Sequence, residues 1–249
     1  MRILISPAKK MRVDTDSLAP AGLPAFLPET QRLLAALRAM TAPQLQALWK
    51  CNDSIAALNL ERLPGRALHR QLPPAILSYE GIQYRYMAPG VLDLGALAYL
   101  QAHLRILSGF YGLLRPFDGV TPYRLEMAAP LSVDGRKDLY AFWGDKLARA
   151  VAEETDLVID LASKEYSRAV LPHLPAGVRV LTCTFGERKG DKVVEKGTLC
   201  KMARGEMVRW MAETGAQYPE DLRAFDRLGF RFSPTFSNPQ NAVFLKEEL

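Results

Sequence analysis

The 249-residue chain is poor in the side chains that hold metals or build disulfides, with three cysteines and three histidines. Cys51, Cys183 and Cys200 are widely spaced and form no CxxC pair, which argues against a disulfide framework or a zinc site and suits a reducing cytoplasm. His69, His103 and His173 have no carboxylate or cysteine at ligand spacing. No metal and no cofactor is expected, with carboxylate-bound Mg²⁺ or iron left open. Long apolar runs are missing too: mean hydropathy is −0.06, and nothing approaches the length of a bilayer span. The opening MRILISPAKK is too briefly apolar for a secretory signal. The expectation is a cytoplasmic protein with no membrane segment. Repeats, low-complexity tracts and obvious linkers are also absent.

What is present is a chain of 49% hydrophobic residues, enough for one large core or two small ones. The formal net charge is +5. Residues 1–127 carry 14 Lys/Arg against 9 Asp/Glu, and residues 128–249 carry 18 against 18. The excess therefore sits in the first half, where it fits either a polyanion partner or ordinary solubilising charge.

Residues 2–6 (RILIS) read as a buried strand that Pro7 ends. Helical spacing covers 28–40, with a fresh start at Pro43 and another helix from Asn52 to Arg62. A short strand is expected at 75–81, and a helix from Asp93 that carries Leu97, Leu100, Leu104 and Leu107 on one side. Asp138 caps a helix reaching Val151, and 157–161 (LVIDL) is a strand leading through Ser163 into another helix. GERKGD marks a hairpin between 178–185 and 192–196. Thr198 starts a long helix, and 230–232 and 242–245 close as strands. This alternation predicts one mixed α/β domain over 1–249, a central mixed sheet flanked by helices, with a helical insertion at 26–70.

Two strand ends could deliver chemistry to one cleft, because ligands of open α/β sheets collect beyond the carboxyl ends of strands. Ser6-Pro7-Ala8-Lys9 offers Lys9 as a phosphate ligand or an amine nucleophile. Asp160-Leu161-Ala162-Ser163 offers Ser163 as a helix cap or part of an anion pocket. Lys201 and Arg204 lie three apart on one helix face, beside Gly205, whose place inside a helix suggests close approach of a ligand or another backbone. The richest segment is 107–127, LSGFYGLLRPFDGVTPYRLEM. Its LSGFYG resembles the hairpin of a helix-hairpin-helix element, or else marks a bent strand. Arg115 and Arg124 suit phosphate recognition or an internal ion-pair network, and Glu126 could pair with Arg124 or serve as an acid or base. Phe142 and Trp143 could form a base-stacking platform or pack in the core, with Asp145 holding one of the arginines.

SPAK at 6–9, LSGFYGLLRPFD at 107–118, PYRLEM at 122–127, FWGD at 142–145, LAS-EY at 161–166 and K-ARG at 201–205 follow one another in this order. In this the chain resembles the YaaA peroxide-stress-response family over essentially its whole length. The resemblance implies a cytoplasmic bacterial protein that protects against hydrogen peroxide and is linked to iron homeostasis and DNA damage. It further implies an unusual α/β fold with a positively charged cleft that binds double-stranded or distorted DNA through a helix-hairpin-helix-like element. Carried over by position, the cleft residues are Lys9, Arg115, Arg124, Glu126, Asp145, Ser163, Tyr166, Lys201 and Arg204. Asp160 departs from the expected Asn, and Lys164 from an acidic residue. Three functions follow as hypotheses. The first is DNA binding without chemistry. The second is an enzyme that cleaves the N-glycosidic bond of damaged DNA, or acts on a small anionic or nucleotide ligand, with Lys9, Glu126 and Asp145 as catalytic candidates. The third is iron handling, for which the chain offers few ligands.

Overall fold

The computed structural model describes residues 1–13, 16, 18–70 and 72–247. Ten strands are present among them: β1 (Arg2–Ile5), β2 (Lys10–Met11), β3 (Tyr79–Glu80), β4 (Leu104–Ser108), β5 (Gly112–Leu114), β6 (Leu157–Asp160), β7 (Arg179–Lys189), β8 (Lys192–Val194), β9 (Phe230–Phe232) and β10 (Asn241–Lys246). Eight form one sheet in the order β5-β4-β1-β6-β7-β10-β9, with β8 folded back on β7. Strands β4, β1, β6, β7 and β10 run parallel, and β5 and β9 run antiparallel at the two edges. The central strands are apolar on both faces, so Ile3, Leu4, Ile5, Leu104, Ile106, Val158 and Ile159 are all inaccessible to solvent. The small ribbon of β2 and β3 lies apart from this sheet.

The helices are α1 (Leu27–Arg38), α2 (Ala42–Trp49), α3 (Asp53–Arg62), α4 (Ala75–Ser78), α5 (Ile82–Met87), α6 (Leu94–His103), α7 (Leu139–Trp143), α8 (Lys146–Glu154), α9 (Lys164–Ser167) and α10 (Gly197–Thr214). Caps fix several of the starts: Asn52, Asp93 and Asp138 each accept from a backbone N–H three residues on. Helices α1 to α3 occupy the expected helical stretch, and Leu33, Leu37, Leu45 and Leu48 join the same hydrophobic cluster as β1. No helix of the described residues is long and apolar enough to cross a membrane.

Three local expectations are corrected. The helix from Asp93 stops at His103, and its supposed last turn is the strand β4, buried at every position. Leucines at 97, 100, 104 and 107 keep helical spacing, but the burial of both faces of 104–108 favours a strand pairing with β1. Residues 75–78 form a helical turn before the two-residue β3. Gly144, at φ 53°, breaks the Asp138 helix into α7 and α8.

The LSGFYG segment is a β-hairpin turn between β4 and β5, not a hairpin between two helices. Ser108 Oγ accepts from the N–H groups of Phe110 (3.2 Å) and Tyr111 (2.9 Å), so these amides are turned inward. A methyl at Gly109 would lie 2.6 Å from the Leu125 carbonyl, and Gly112, at φ 75°, is covered by Trp143. Two helices joined by a short turn occur instead at α2 and α3, where Lys50 takes a left-handed conformation.

Because β5 reverses direction, Arg115 emerges at the amino end of the parallel strands. There Arg2, Arg105 and Arg115 converge on Glu154 at 2.8, 2.7 and 3.2 Å. Asp118 is buried beside them and accepts from the Arg115 N–H at 2.8 Å. Burial raises its carboxyl from 3.8 to about 6.

Two outcomes are expected. Gly205 in α10 packs so tightly on α5 that an added methyl would overlap the Gln83 carbonyl oxygen. Gly205→Ala should therefore lose about 1–3 kcal/mol in denaturant unfolding, whereas Gly197→Ala, with open space around it, should be neutral or slightly stabilising. Asp118 binds its proton more tightly folded than unfolded, so its contribution favours folding at low pH and disappears as pH rises through about 6. Asp118→Asn should gain on wild type by roughly 2 kcal/mol between about pH 4 and 7 in unfolding measurements.

Candidate functional site

The order of the sheet places a crevice beside β1. From β1 the chain next enters the parallel sheet at β4 on one side, then returns to β6 on the other and continues outward to β7. The strand order thus reverses between β1 and β6, and ligands of open sheets bind outside the carboxyl ends at such a point. Pro7 ends β1 because it lacks the N–H a ladder needs, leaving Ser6 at the strand end. Ser6 Oγ accepts from the Ser163 N–H at 2.8 Å and donates to Ser163 Oγ at 3.2 Å, tying the two strand ends together. Tyr84 donates to the Ser6 carbonyl at 3.0 Å, which brings α5 over the same edge.

A cavity of about 380 Å³ opens here, lined by the 6–10 segment, Glu80–Tyr84, Glu126, Ser163, Glu165, Tyr166, Lys201 and Arg204. Six of the residues expected from sequence therefore meet: Lys9, Glu126, Ser163, Tyr166, Lys201 and Arg204. Lys9 Nζ pairs with Glu126 Oε2 at 2.7 Å, and Glu126 Oε1 lies 3.5 Å from Arg124. Arg124 is itself mostly buried and donates to the Trp49 carbonyl at 3.3 Å. Its role in the geometry is to hold Glu126.

Arg115 and Asp145 are not brought into this cavity. Arg115 sits at the opposite end of the sheet on Glu154, and Asp145 pairs with Arg149 on the exposed start of α8. Phe142 and Trp143 are core residues, with Trp143 Nε1 donating to the Gly109 carbonyl at 3.1 Å, so they form no stacking platform. Ser163 stands at the start of α9 without capping it, since its hydroxyl meets Ser6 instead. Asp160 points inward: it accepts from Ser167 Oγ and the Ala162 N–H, and burial raises its carboxyl. Lys164 is exposed.

The charges are mixed. Lys10 pairs with Glu80 at 2.9 Å across the β2–β3 ribbon, and Glu165 Oε1 is occupied by the Ala128 N–H. Lys201 is exposed and has no ion-pair partner among the described residues. Burial pushes the Tyr166 phenol well above its ordinary range, as it does for Tyr84, so both hydroxyls are donors at neutral pH. Below the cleft, Tyr79, Tyr123 and Ser108 form a buried hydroxyl chain at 2.8 and 2.6 Å. No group of three His, Cys, Asp or Glu suited to a metal occurs among the described residues.

Two residues of the cavity lining each bury a donor that has no acceptor among the described residues: Gln83 Nε2 and Arg204 Nε. The Arg204 head reaches only Glu195, at 3.7 Å. An unmet buried donor costs roughly 1–3 kcal/mol. Gln83 is the residue that sequence reasoning missed. Uncharged and set in the short GIQYRYM run, it acquires its position from α5 docking on α10 through Gly205.

The whole pattern has relatives. The chain is 51% identical over 248 residues to a UPF0246 protein of Lachnoclostridium phytofermentans, covering 100% of this chain and 97% of that protein. It is 49% identical over 249 residues to a UPF0246 protein of Pediococcus pentosaceus (100% and 99% covered). For one of Agathobacter rectalis the figure is 48% over 244 residues, covering 98% of each chain. Residues 1–236 match the family described as peroxide stress protein YaaA. The chain with this Ser6–Ser163 cleft belongs to the YaaA peroxide stress protein family.

Proposed function

We propose that this protein serves the peroxide stress response by binding DNA, with the cleft taking one nucleotide unit of a double-stranded or distorted substrate. The observation that carries this reading is the pair of exposed cations at the rim of the cavity. Lys9 and Lys201 stand exposed at a nucleotide-sized cavity beside the joined ends of β1 and β6. Phosphate contacts position a nucleic acid, and cations on a mobile stem suit that task. Shielded DNA would suffer less iron-dependent oxidation, an effect on iron damage that requires no iron ligand.

A second reading is favoured by one contact. The Lys9–Glu126 pair at 2.7 Å faces the cavity and supplies an amine and a carboxylate side by side. Such a pair could act on an N-glycosidic bond in damaged DNA. Lys9 is 66% exposed in its side chain, however, so it lacks the desolvation that activates a lysine nucleophile.

Fluorescence anisotropy with plain and bulged duplexes tests the first reading. Affinity should fall at least tenfold between about 50 and 200 mM salt, and Lys201→Ala should reduce the salt slope by about one. Absence of binding to either duplex at low salt would overturn it. Base release by mass spectrometry, or a borohydride-trapped adduct lost in Lys9→Ala, would favour the enzyme.

A further inference from the structure

A second cavity, of about 460 Å³, adjoins the first. The two share Lys10, Glu80, Gly81, Ile82 and Tyr84 in their linings, so the 80–84 segment is the ridge between them. This ridge is firmly seated. Tyr84 is bonded to the Ser6 carbonyl, and a methyl on Gly81 would lie 3.0 Å from Ala8 Cβ. Lys10 and Glu80 pair at 2.9 Å and remain exposed, at 79% and 36% of their side chains. The boundary between the cavities is thus open to solvent, and a chain-like ligand can cross it.

The second cavity is cationic. Lys10, Arg12 and Arg85 line it against the single carboxylate of Glu80. Arg12 Nε donates to the Leu77 carbonyl at 3.0 Å, which holds its guanidinium beside this wall. Arg85 is exposed on α5 and has no ion-pair partner among the described residues. Tyr79 and Tyr84 in the lining are buried and hydrogen-bonded, so the cavity offers charge rather than a stacking surface. A guanidinium suits phosphate oxygens, which it can meet through two parallel N–H donors. Exposed cations therefore run from Lys9 and Lys201 at the first cavity, through Lys10 at the boundary, to Arg85 in the second. Such a series fits a linear polyanion, because a charged groove that binds a single strand follows its backbone.

We propose that the two cavities form one track for two consecutive nucleotides of an unpaired strand. One phosphate lies at the Lys9–Lys201 rim, and the next lies in the second cavity against Arg85. This track rests on the nucleic-acid reading above and extends it. Each cavity takes one nucleotide and not a duplex, so the strand is unpaired over both positions. Bulged and damaged duplexes supply such a segment at least cost.

Calorimetric titration of the full-length protein with thymidine 5′-monophosphate and the dinucleotide pTpT tests the proposal. At about 50 mM salt, pTpT should bind at least about tenfold more tightly than the mononucleotide. Arg85→Ala should remove most of that gain, leave mononucleotide affinity unchanged and, since Arg85 is exposed, unfold at the wild-type temperature. Arg179→Ala removes an exposed cation at the opposite end of the sheet and should keep the gain. The salt slope for oligo(dT) should fall by about 0.7 in Arg85→Ala alone. Equal affinity for the two probes, a gain retained in Arg85→Ala, or a gain lost equally in Arg179→Ala would overturn the proposal. So would no binding of either probe at about millimolar concentration. Duplex binding that persists in that event leaves the DNA reading standing. A dinucleotide gain without binding to plain or bulged duplex removes the DNA reading and leaves the two-nucleotide track.

Discussion

Strand β1 pairs with β4 on one side and β6 on the other, and its carboxyl end is joined to that of β6 by the Ser6–Ser163 hydrogen bonds. Every feature of the cleft hangs on this junction. The reversal of strand order opens the crevice, Pro7 turns Lys9 across it, and Tyr84 bonded to the Ser6 carbonyl brings α5 over its edge. Helix α10 completes the wall because Gly205 lets it approach the α5 backbone. A loss of the Ser6 hydroxyl would loosen the contact between the two strand ends.

The arrangement also separates two kinds of charge. At the amino end of the strands, Arg2, Arg105 and Arg115 surround Glu154, with Arg105 buried and Arg115 still exposed. At the carboxyl end, the chain Lys9–Glu126–Arg124 runs from solvent to the Trp49 carbonyl, so a buried guanidinium fixes the carboxylate that orients an exposed amine. The unmet donors of Gln83 and Arg204 belong to this second end. An unmet buried donor lowers stability, and both lie in the walls of this end.

Much of this was legible in the chain. Strands β1 and β6 announce themselves as apolar runs stopped by Pro7 and by the Asp160 turn, and Asn52, Asp93 and Asp138 mark their helices through local hydrogen bonds. Lys9, Ser163, Lys201 and Arg204 could be read because strand ends and helix faces are local properties. Other features depend on distant partners. β4 continues the leucine spacing of α6, and only its burial between β1 and β5 makes it a strand. Arg115 looked like a companion of Arg124, yet the antiparallel course of β5 sends it to the other end of the sheet. Gln83 carries no sequence signal, since its role arises where two helices separated by more than a hundred residues meet.

The central claim is that nucleic acid enters at the junction of β1 and β6. Hydrogen–deuterium exchange on the intact protein, with and without a bulged duplex, tests it most directly. The account predicts new protection in the segments around Ser6–Lys9, Gly81–Tyr84, Ser163–Tyr166 and Lys201–Arg204. Protection confined to α2 and α3 or to the Arg115–Glu154 end, with these four segments unchanged, would contradict it.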